Sequence, residues 1–277
     1  MKKNEFLQEA HNYIDELYIS FEKCQTIVNE IVGVFDSLCR KNDITYFVTC
    51  GSLLGLVRDG GNIPWDYDFD VSVTINQVSK LIKVLKEQLP SDYYFESNFT
   101  TKKYPFFQAR ICKKGYDIDH IHLDIFYLVA VPNNNVEKFR EKTIKLFQSR
   151  WDVYGVDYFA TGKAKPFERI AKKIFMKLKH KVFFSRFDGK FKSLTSKCKY
   201  GSTDNVIFFT NLAYIFPTKA MEPKKDIEIN GAKYSVPHDT DEILKITYGD
   251  YRKYLPISDR FDEFYTTARL LEDEKDL

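Results

Sequence analysis

The chain has 277 residues, of which 44% are hydrophobic, 29% are charged and 12 are glycine. This composition supports a sizeable core and excludes disordered, collagen-like and low-complexity proteins. No apolar run approaches the roughly 18 residues that a membrane-spanning helix needs, and the N-terminus lacks the apolar stretch of a signal peptide. We therefore expect a cytoplasmic protein. The five cysteines are odd in number and contain no C-x-x-C motif, which argues against a disulfide framework and a cysteine-type zinc site.

The net charge of +3 conceals one strongly basic segment. Between Lys163 and Lys199 there are thirteen Lys and Arg residues and only two acidic residues, whereas the rest of the chain carries a net negative charge. Such a segment attracts nucleic acid, anionic lipid headgroups or phosphorylated glycans by the same electrostatics.

The first half of the chain alternates between helical and extended patterns. Apolar residues at spacings of four and three predict a long helix from Leu17 to Leu38. The β-branched and aromatic run Ile44–Cys50 predicts a buried strand, and residues 51–58 a short helix after it. Asp66–Thr74 alternates polar with apolar residues, which predicts a second strand with Asp68 and Asp70 on one face.

The remaining patterns continue this alternation. Helical spacing returns over residues 76–89, and strand-like runs follow at 93–97, 106–112 and 120–131. In the basic segment, apolar residues at i, i+3, i+4 and i+7 predict an amphipathic helix over residues 167–182. Asn230-Gly231 predicts a hairpin turn within residues 225–236, and Asp239 begins a helix that ends at Gly249.

The catalytic site is expected where the first strand ends and the second strand begins. A helix that starts at Gly51-Ser52 presents free backbone N–H groups to an anion such as phosphate. Asp68 and Asp70 share one face of a strand, where their like charges favour a divalent cation, Mg²⁺ or Mn²⁺. Asp124, in the later strand, is the candidate third carboxylate, either as a ligand or as a base.

A second pattern in the later strand suggests a different metal. His120, His122 and Asp124 alternate along one face, as in the H-x-H-x-D motif of binuclear zinc hydrolases. Those sites need several more histidines or a bridging acid, and the chain has only three other histidines. We therefore favour surface histidines near the acidic site.

The motif GSLLGLVRDGGNIPWDYDFDVSV resembles the G-T-L-L-G-x-x-R-x-x-x-x-I-P-W-D-x-D-x-D signature of the LicD family, which includes bacterial phosphocholine transferases and fukutin-type proteins. The segment from Tyr234 to Pro256 is similar to the C-terminal motif of that family. Two positions depart from the pattern. Tyr67 replaces an Asp of the W-D-D-D-x-D form, and His-Ile-His replaces the usual Gly-aromatic lead into the third Asp.

The resemblance implies an α+β fold with a nucleotidyltransferase-like core: a small mixed β-sheet flanked by helices, plus a basic helical segment. We expect a catalytic core over residues 1–160, the basic segment over 161–200, and a C-terminal hairpin and helices over 201–277 that pack on the core. The resemblance also implies a function. The chain would be a phosphotransferase that moves phosphocholine or an alditol phosphate from a CDP-linked donor to a hydroxyl of a cell-surface glycan or its lipid-linked precursor.

The same resemblance assigns roles to individual residues. Asp68, Asp70 and Asp124 would hold Mg²⁺ or Mn²⁺ and carry the catalysis, and Gly51, Ser52 and Arg58 would bind donor phosphates. Asp66 would orient Arg58 or cap the strand, and Trp65 would pack in the core.

Two other functions are open at this point. The same fold could transfer a nucleotide from an NTP to a small molecule. Alternatively, the basic segment could make the chain a membrane-binding or nucleic-acid-binding module. The Lys-rich stretch carries no nucleic-acid-binding motif, so no nucleic-acid partner is expected, whereas peripheral contact with the inner face of the cytoplasmic membrane is consistent with the amphipathic helix.

Overall fold

The computed structural model describes residues 15–66, 68–101, 104–116, 121–158 and 187–254. Its helices are α1 (Asp15–Lys41), α2 (Cys50–Leu54), α3 (Ile75–Gln88), α4 (Val136–Tyr158), α5 (187–195), α6 (Thr218–Met221) and α7 (Thr240–Tyr248). Its strands are β1 (Tyr46–Val48), β2 (Phe69–Thr74), β3 (Tyr93–Ser97), β4 (Ala109–Lys113), β5 (His122–Val131), β6 (Asn205–Phe208), β7 (Ile215–Pro217), β8 (Lys225–Ile229) and β9 (Ala232–Val236). A π-helical turn, Gly55–Asp59, continues α2.

The strands form one mixed sheet and one separate hairpin. In the main sheet the order is β1-β2-β5-β4-β3, with β6 paired to the end of β5 and β7 paired to β6. The pair β2–β5 is parallel, and the other pairs are antiparallel. Strands β8 and β9 form the hairpin. The α+β class predicted from the sequence is therefore confirmed.

The first part of the core joins α1 to the sheet. The Phe35 ring lies 5.1 Å from the Tyr46 ring in an edge-on contact, and both side chains are buried. The Tyr46 hydroxyl donates to Asp36 at 2.7 Å. Arg40, one turn further along α1, pairs with Asp226 of the hairpin at 2.9 Å. The long helix therefore holds the sheet on one side and the hairpin at its C-terminal end.

A second, aromatic part of the core joins α4 and α5 to the sheet. The Phe191 ring of α5 stacks on Phe107 at 4.8 Å and meets Phe209 edge-on at 5.2 Å. Arg150 of α4 is fully buried there, where it donates to the Tyr104 carbonyl and lies 4.6 Å from the Phe107 ring. The part of segment 161–200 that the structure describes thus packs on the core, and the amphipathic helix predicted over residues 167–182 lies outside the described residues.

The helices and strands that the sequence predicts up to His122, and the hairpin and helix near the C-terminus, lie within a few residues of their observed positions. The Asp239 side chain accepts from the Glu242 backbone N–H, as the capping pattern predicts. Helix α4 was not predicted. Its buried face includes Thr143 and Arg150, which are polar, so the apolar rhythm is interrupted. Strands β6 and β7 are too short to give a clear pattern.

All five cysteines are free, as their spacing predicts. Among the described residues, none of the helices combines the length and the apolar character needed to span a membrane.

Two glycines offer a direct test of how tightly the loop after α2 is packed. A Cβ on Gly55 would lie 2.5 Å from the Gly61 carbonyl oxygen and 2.8 Å from the Ile63 nitrogen, which are backbone atoms. A Cβ on Gly33, inside α1, would meet no atom within 4 Å. Gly55→Ala should therefore lower the free energy of unfolding by about 1–3 kcal/mol. Gly33→Ala should raise it by up to about 1 kcal/mol, because alanine favours helix.

Urea denaturation of both variants measures these changes. Equal stability of Gly55→Ala and the wild type would mean that the loop does not approach α2 as closely as described.

Candidate active site

Three carboxylates meet where β2 and β5 run side by side. In this parallel pair Asp70 lies directly opposite Asp124, so both side chains point to the same face of the sheet. Asp68 immediately precedes β2 and stands two residues before Asp70. The structure therefore brings together the three acidic residues that the sequence singles out.

The surroundings of the Asp70 carboxyl group disfavour its ionised form. Burial, then the negative charges of Asp68, Asp124 and Asp66, raise the pKa of Asp70 well above its usual range, and a hydrogen bond from the Cys50 thiol only partly opposes this. A cation at this position would relieve the repulsion.

Asp124 is stabilised differently, because it has a cationic partner. Arg110 of β4 lies opposite Asp124, and its Nε and Nη2 donate to the two carboxylate oxygens at 2.8 and 3.3 Å. Burial favours a raised pKa for Asp124, but Arg110 and then His122 outweigh it and hold the pKa well below its usual range. Sequence reasoning missed Arg110; the signal was a lone cation inside the buried run QARIC.

The loop between β1 and α2 is fixed by a side chain that was expected to bind phosphate. The Ser52 hydroxyl, which is buried, accepts from the Asp70 backbone N–H at 2.8 Å and so ties α2 to β2. A Cβ on Gly51 would lie 2.7 Å from Asp66 Oδ2, so glycine permits the acidic side chain to approach the helix start. Cys50 has a φ of 52°, an uncommon left-handed backbone for a cysteine.

The segment from Ile63 to Asp66 is held by α1. Gln25 donates from Nε2 to the carbonyls of Ile63 and Asp66, each at 2.7 Å. The Asp66 backbone N–H in turn donates to the Ile63 carbonyl at 3.0 Å. This turn places the Asp66 side chain beside Gly51, next to the acidic cluster.

Arg58 is oriented by the residue after it. Its Nη2 lies 2.9 Å from Asp59 Oδ2, and its guanidinium stacks 4.3 Å from the Tyr254 ring centre. Tyr254 completes the arrangement, because its hydroxyl donates to Asp59 at 2.6 Å. The sequence suggests that Asp66 either orients Arg58 or caps the strand. In the structure Asp59 lies against Arg58, and an Asp66 carboxylate oxygen lies beside Gly51.

A cleft of about 370 Å³ opens beside the carboxylates. Its walls include Gly51, Arg58 and Asp66 from the motif region and Tyr248, Tyr251, Lys253 and Tyr254 from the C-terminal part. Trp65 is buried as expected, yet one edge of it also faces this cleft, near the Tyr254 ring. Tyr248 is 42% exposed overall, but burial of its hydroxyl, followed by its neighbours Cys50, Asp70 and Asp66, raises the pKa of Tyr248, which places this hydroxyl near the acidic cluster.

The donor chemistry of Asp68 and Asp70 fits a divalent cation that prefers oxygen ligands. Their partner Asp124 is occupied on both oxygens by Arg110. In the described part of the chain, no three His, Cys, Asp or Glu side chains converge as a complete metal-binding group. The fit therefore rests on the Asp68–Asp70 pair and on the uncompensated charge around Asp70.

Of the histidine pattern, the structure describes His122 and Asp124. His122 is buried, and its Nε2 lies 3.6 Å from Asp124 Oδ2. His122 therefore supports the Arg110–Asp124 pair. The sequence had suggested a surface histidine, and this prediction is wrong for His122 because its side chain is buried. His120 lies outside the described residues.

The site thus consists of a strand, a helix start at Gly51-Ser52, an Asp-x-Asp pair at the start of β2 and a third Asp on the parallel neighbour β5. Residues 43–154 match the family described as LicD/FKTN/FKRP, nucleotidyltransferase domain. The chain is also 25% identical, over 91% of its length and 99% of the relative, to the lipopolysaccharide cholinephosphotransferase LicD of Haemophilus influenzae. The predicted resemblance to the LicD family is confirmed, with the family model matching residues 43–154.

The Arg110–Asp124 pair is buried, so removal of one partner should be costly. Arg110→Met should lower the free energy of unfolding at pH 7 by about 3–5 kcal/mol, because Asp124 is then a buried charge without its cation. In the variant, burial is opposed by His122 but no longer by Arg110, so we expect the folded-state pKa of Asp124 to rise from well below its unfolded value of about 3.9 to above it. The stability deficit should therefore be largest near pH 7 and shrink as the pH falls toward 4.

Denaturant unfolding at several pH values tests this expectation. Arg40→Met is the matched control, because the Arg40 pairs are partly exposed and should contribute about 1 kcal/mol or less. A deficit for Arg110→Met that does not change with pH would contradict the assignment of the effect to Asp124.

Proposed function

We propose that this chain is a transferase that moves a phospho-substituent, with phosphocholine the first candidate, from a CDP-linked donor to a hydroxyl of a cell-surface glycan or its lipid-linked precursor. The observation that carries the proposal is that the carboxylates and the aromatic cleft are contiguous, because Asp66 lines the cleft and acts electrostatically on Asp70. The name of the Haemophilus relative supports choline phosphate as the first candidate for the transferred group and lipopolysaccharide as the first candidate for the acceptor.

The cleft suits a donor that is cationic at one end and anionic at the other. Aromatic faces attract a quaternary ammonium group, and Tyr248, which is 42% exposed, lines the cleft together with the Asp66 carboxylate. Arg58 and Lys253 provide donors for phosphate oxygens on the same lining. The volume of about 370 Å³ lies within the range of small-molecule sites, roughly 300–1,000 Å³.

The acidic residues divide into two groups in this proposal. Asp68 and Asp70 would hold Mg²⁺ or Mn²⁺, which when bound supplies positive charge to the donor diphosphate. Asp124 remains ionised because its pKa is held well below the usual range. An effective general base has a pKa near the working pH, so Asp124 is better suited to fix Arg110 and contribute negative charge than to remove a proton.

A donor screen tests the proposed reaction. The purified chain is incubated with Mg²⁺, a lipopolysaccharide acceptor, and CDP-choline, CDP-ribitol, CDP-glycerol or ATP in turn. We expect acceptor-dependent CMP release, greatest with CDP-choline. Pyrophosphate release from ATP without CMP release from any CDP donor would instead support nucleotidyl transfer to a small molecule.

Asp68→Asn and Asp70→Asn should each reduce turnover at saturating Mg²⁺ to less than about a tenth of the wild-type rate, because each removes a proposed metal ligand. Neither should lower the thermal midpoint, because each relieves repulsion around Asp70. Glu87→Gln is the control, since Glu87 is exposed on α3. An Asp70 variant that keeps full activity would remove Asp70 from the proposed site.

A further inference from the structure

A second concave surface lies between α4 and α5. It is a groove of about 600 Å³ that continues into a cavity of about 410 Å³, and Lys142 and Lys197 line both. We call it the lysine groove. Its lysines are Lys138, Lys142, Lys145, Lys190 and Lys197.

The lysine groove is strongly positive. Neither part has an acidic side chain among its described lining residues, although the lining includes five lysines. Lys145 has one acidic neighbour, Glu141, at 3.9 Å, and both of these side chains are largely exposed. A concave surface lined by one sign of charge concentrates ligands of the opposite sign. The groove therefore selects an anion with several negative groups.

The rest of the lining favours a sugar over a lipid surface. Leu146 and Leu194 are buried side chains that give the groove an apolar patch, and Ser149 and Ser193 add hydroxyl groups. Apolar patches suit the C–H faces of sugar rings, hydroxyls suit their O–H groups, and lysines suit phosphates. A flat membrane would contact a protruding surface more readily than a groove.

From this lining we infer that the lysine groove binds the phosphate-bearing part of the glycan acceptor. The inference rests on the proposed function in one respect, namely that the acceptor is a glycan. The groove shares no lining residue with the aromatic cleft. Val131 stands seven positions after Asp124 on β5, a distance of roughly 23 Å at the rise of a strand, and the next residue, Pro132, lines the smaller part of the groove. At least this end of the groove is an anchor away from the reacting groups.

The experiment measures binding without any donor. The probe is a fluorescein-labelled phosphorylated oligosaccharide released from bacterial lipopolysaccharide, together with the same oligosaccharide after phosphatase treatment. The groove variant is Lys142→Glu combined with Lys190→Glu, both exposed positions. The control is Lys83→Glu combined with Lys86→Glu, which makes the same charge change at exposed positions of α3.

We expect the wild type to bind the phosphorylated probe at least about tenfold more tightly than the dephosphorylated one, a difference of about 1.4 kcal/mol. The groove variant should lose most of that preference, and the control should keep it. With a soluble acceptor, the groove variant should raise KM and leave kcat unchanged. Equal binding of the two probes by the wild type, or an equal loss in the control, would overturn the inference.

Vesicles of phosphatidylcholine with and without phosphatidylglycerol test the lipid alternative. If the groove variant loses binding to anionic vesicles but retains the oligosaccharide, the groove is a lipid surface and the inference is wrong. The donor screen could fail while the wild type still binds the oligosaccharide in a phosphate-dependent way. That result would contradict the proposed donor chemistry but not the inference about the lysine groove.

Discussion

The constraint on which the site depends is the parallel, in-register pairing of β2 with β5. Parallel strands keep equivalent residues on one face, so the register that places Asp70 opposite Asp124 also fixes a concentration of negative charge. A one-residue slip would move one of these carboxylates to the opposite face. The fold therefore maintains a repulsive arrangement that stability alone would not favour, and such arrangements are typical of functional sites.

The protein compensates this charge unequally. Arg110 neutralises Asp124 with two hydrogen bonds. Among the described residues, the Asp70 carboxyl group has a thiol contact from Cys50 and no ion pair, and the Ser52 hydroxyl accepts from the Asp70 backbone N–H. A site meant only to be stable would place a cation beside both carboxylates. Under the proposed function, the Asp68–Asp70 end is where a cation from solution would bind.

The sequence allowed most of the fold and the centre of the site to be predicted, because both rest on short-range patterns. Alternation along β2 placed Asp68 and Asp70 together, and the Gly-Ser pair marked the start of α2. Arg110 and Tyr248 could not be assigned roles, because their positions depend on strand pairing and on packing between distant segments. Helix α4 was missed because buried Arg150 and Thr143 interrupt its apolar face, and the Arg150 charge is accommodated only by tertiary contacts with Tyr104 and Phe107.

Arg58 shows why the role of a motif residue depends on its neighbours. Its ion pair with Asp59 and its contact with Tyr254 fix the guanidinium and partly neutralise its charge. An arginine held in this way loses little conformational freedom when it binds a phosphate, but it also contributes less attraction. Tyr254 and Tyr251 come from the C-terminal part of the chain, so the shape of the cleft depends on how that part packs against the motif. Under the proposed function, the C-terminal residues would therefore set the choice of substrate while the sheet fixes the carboxylates.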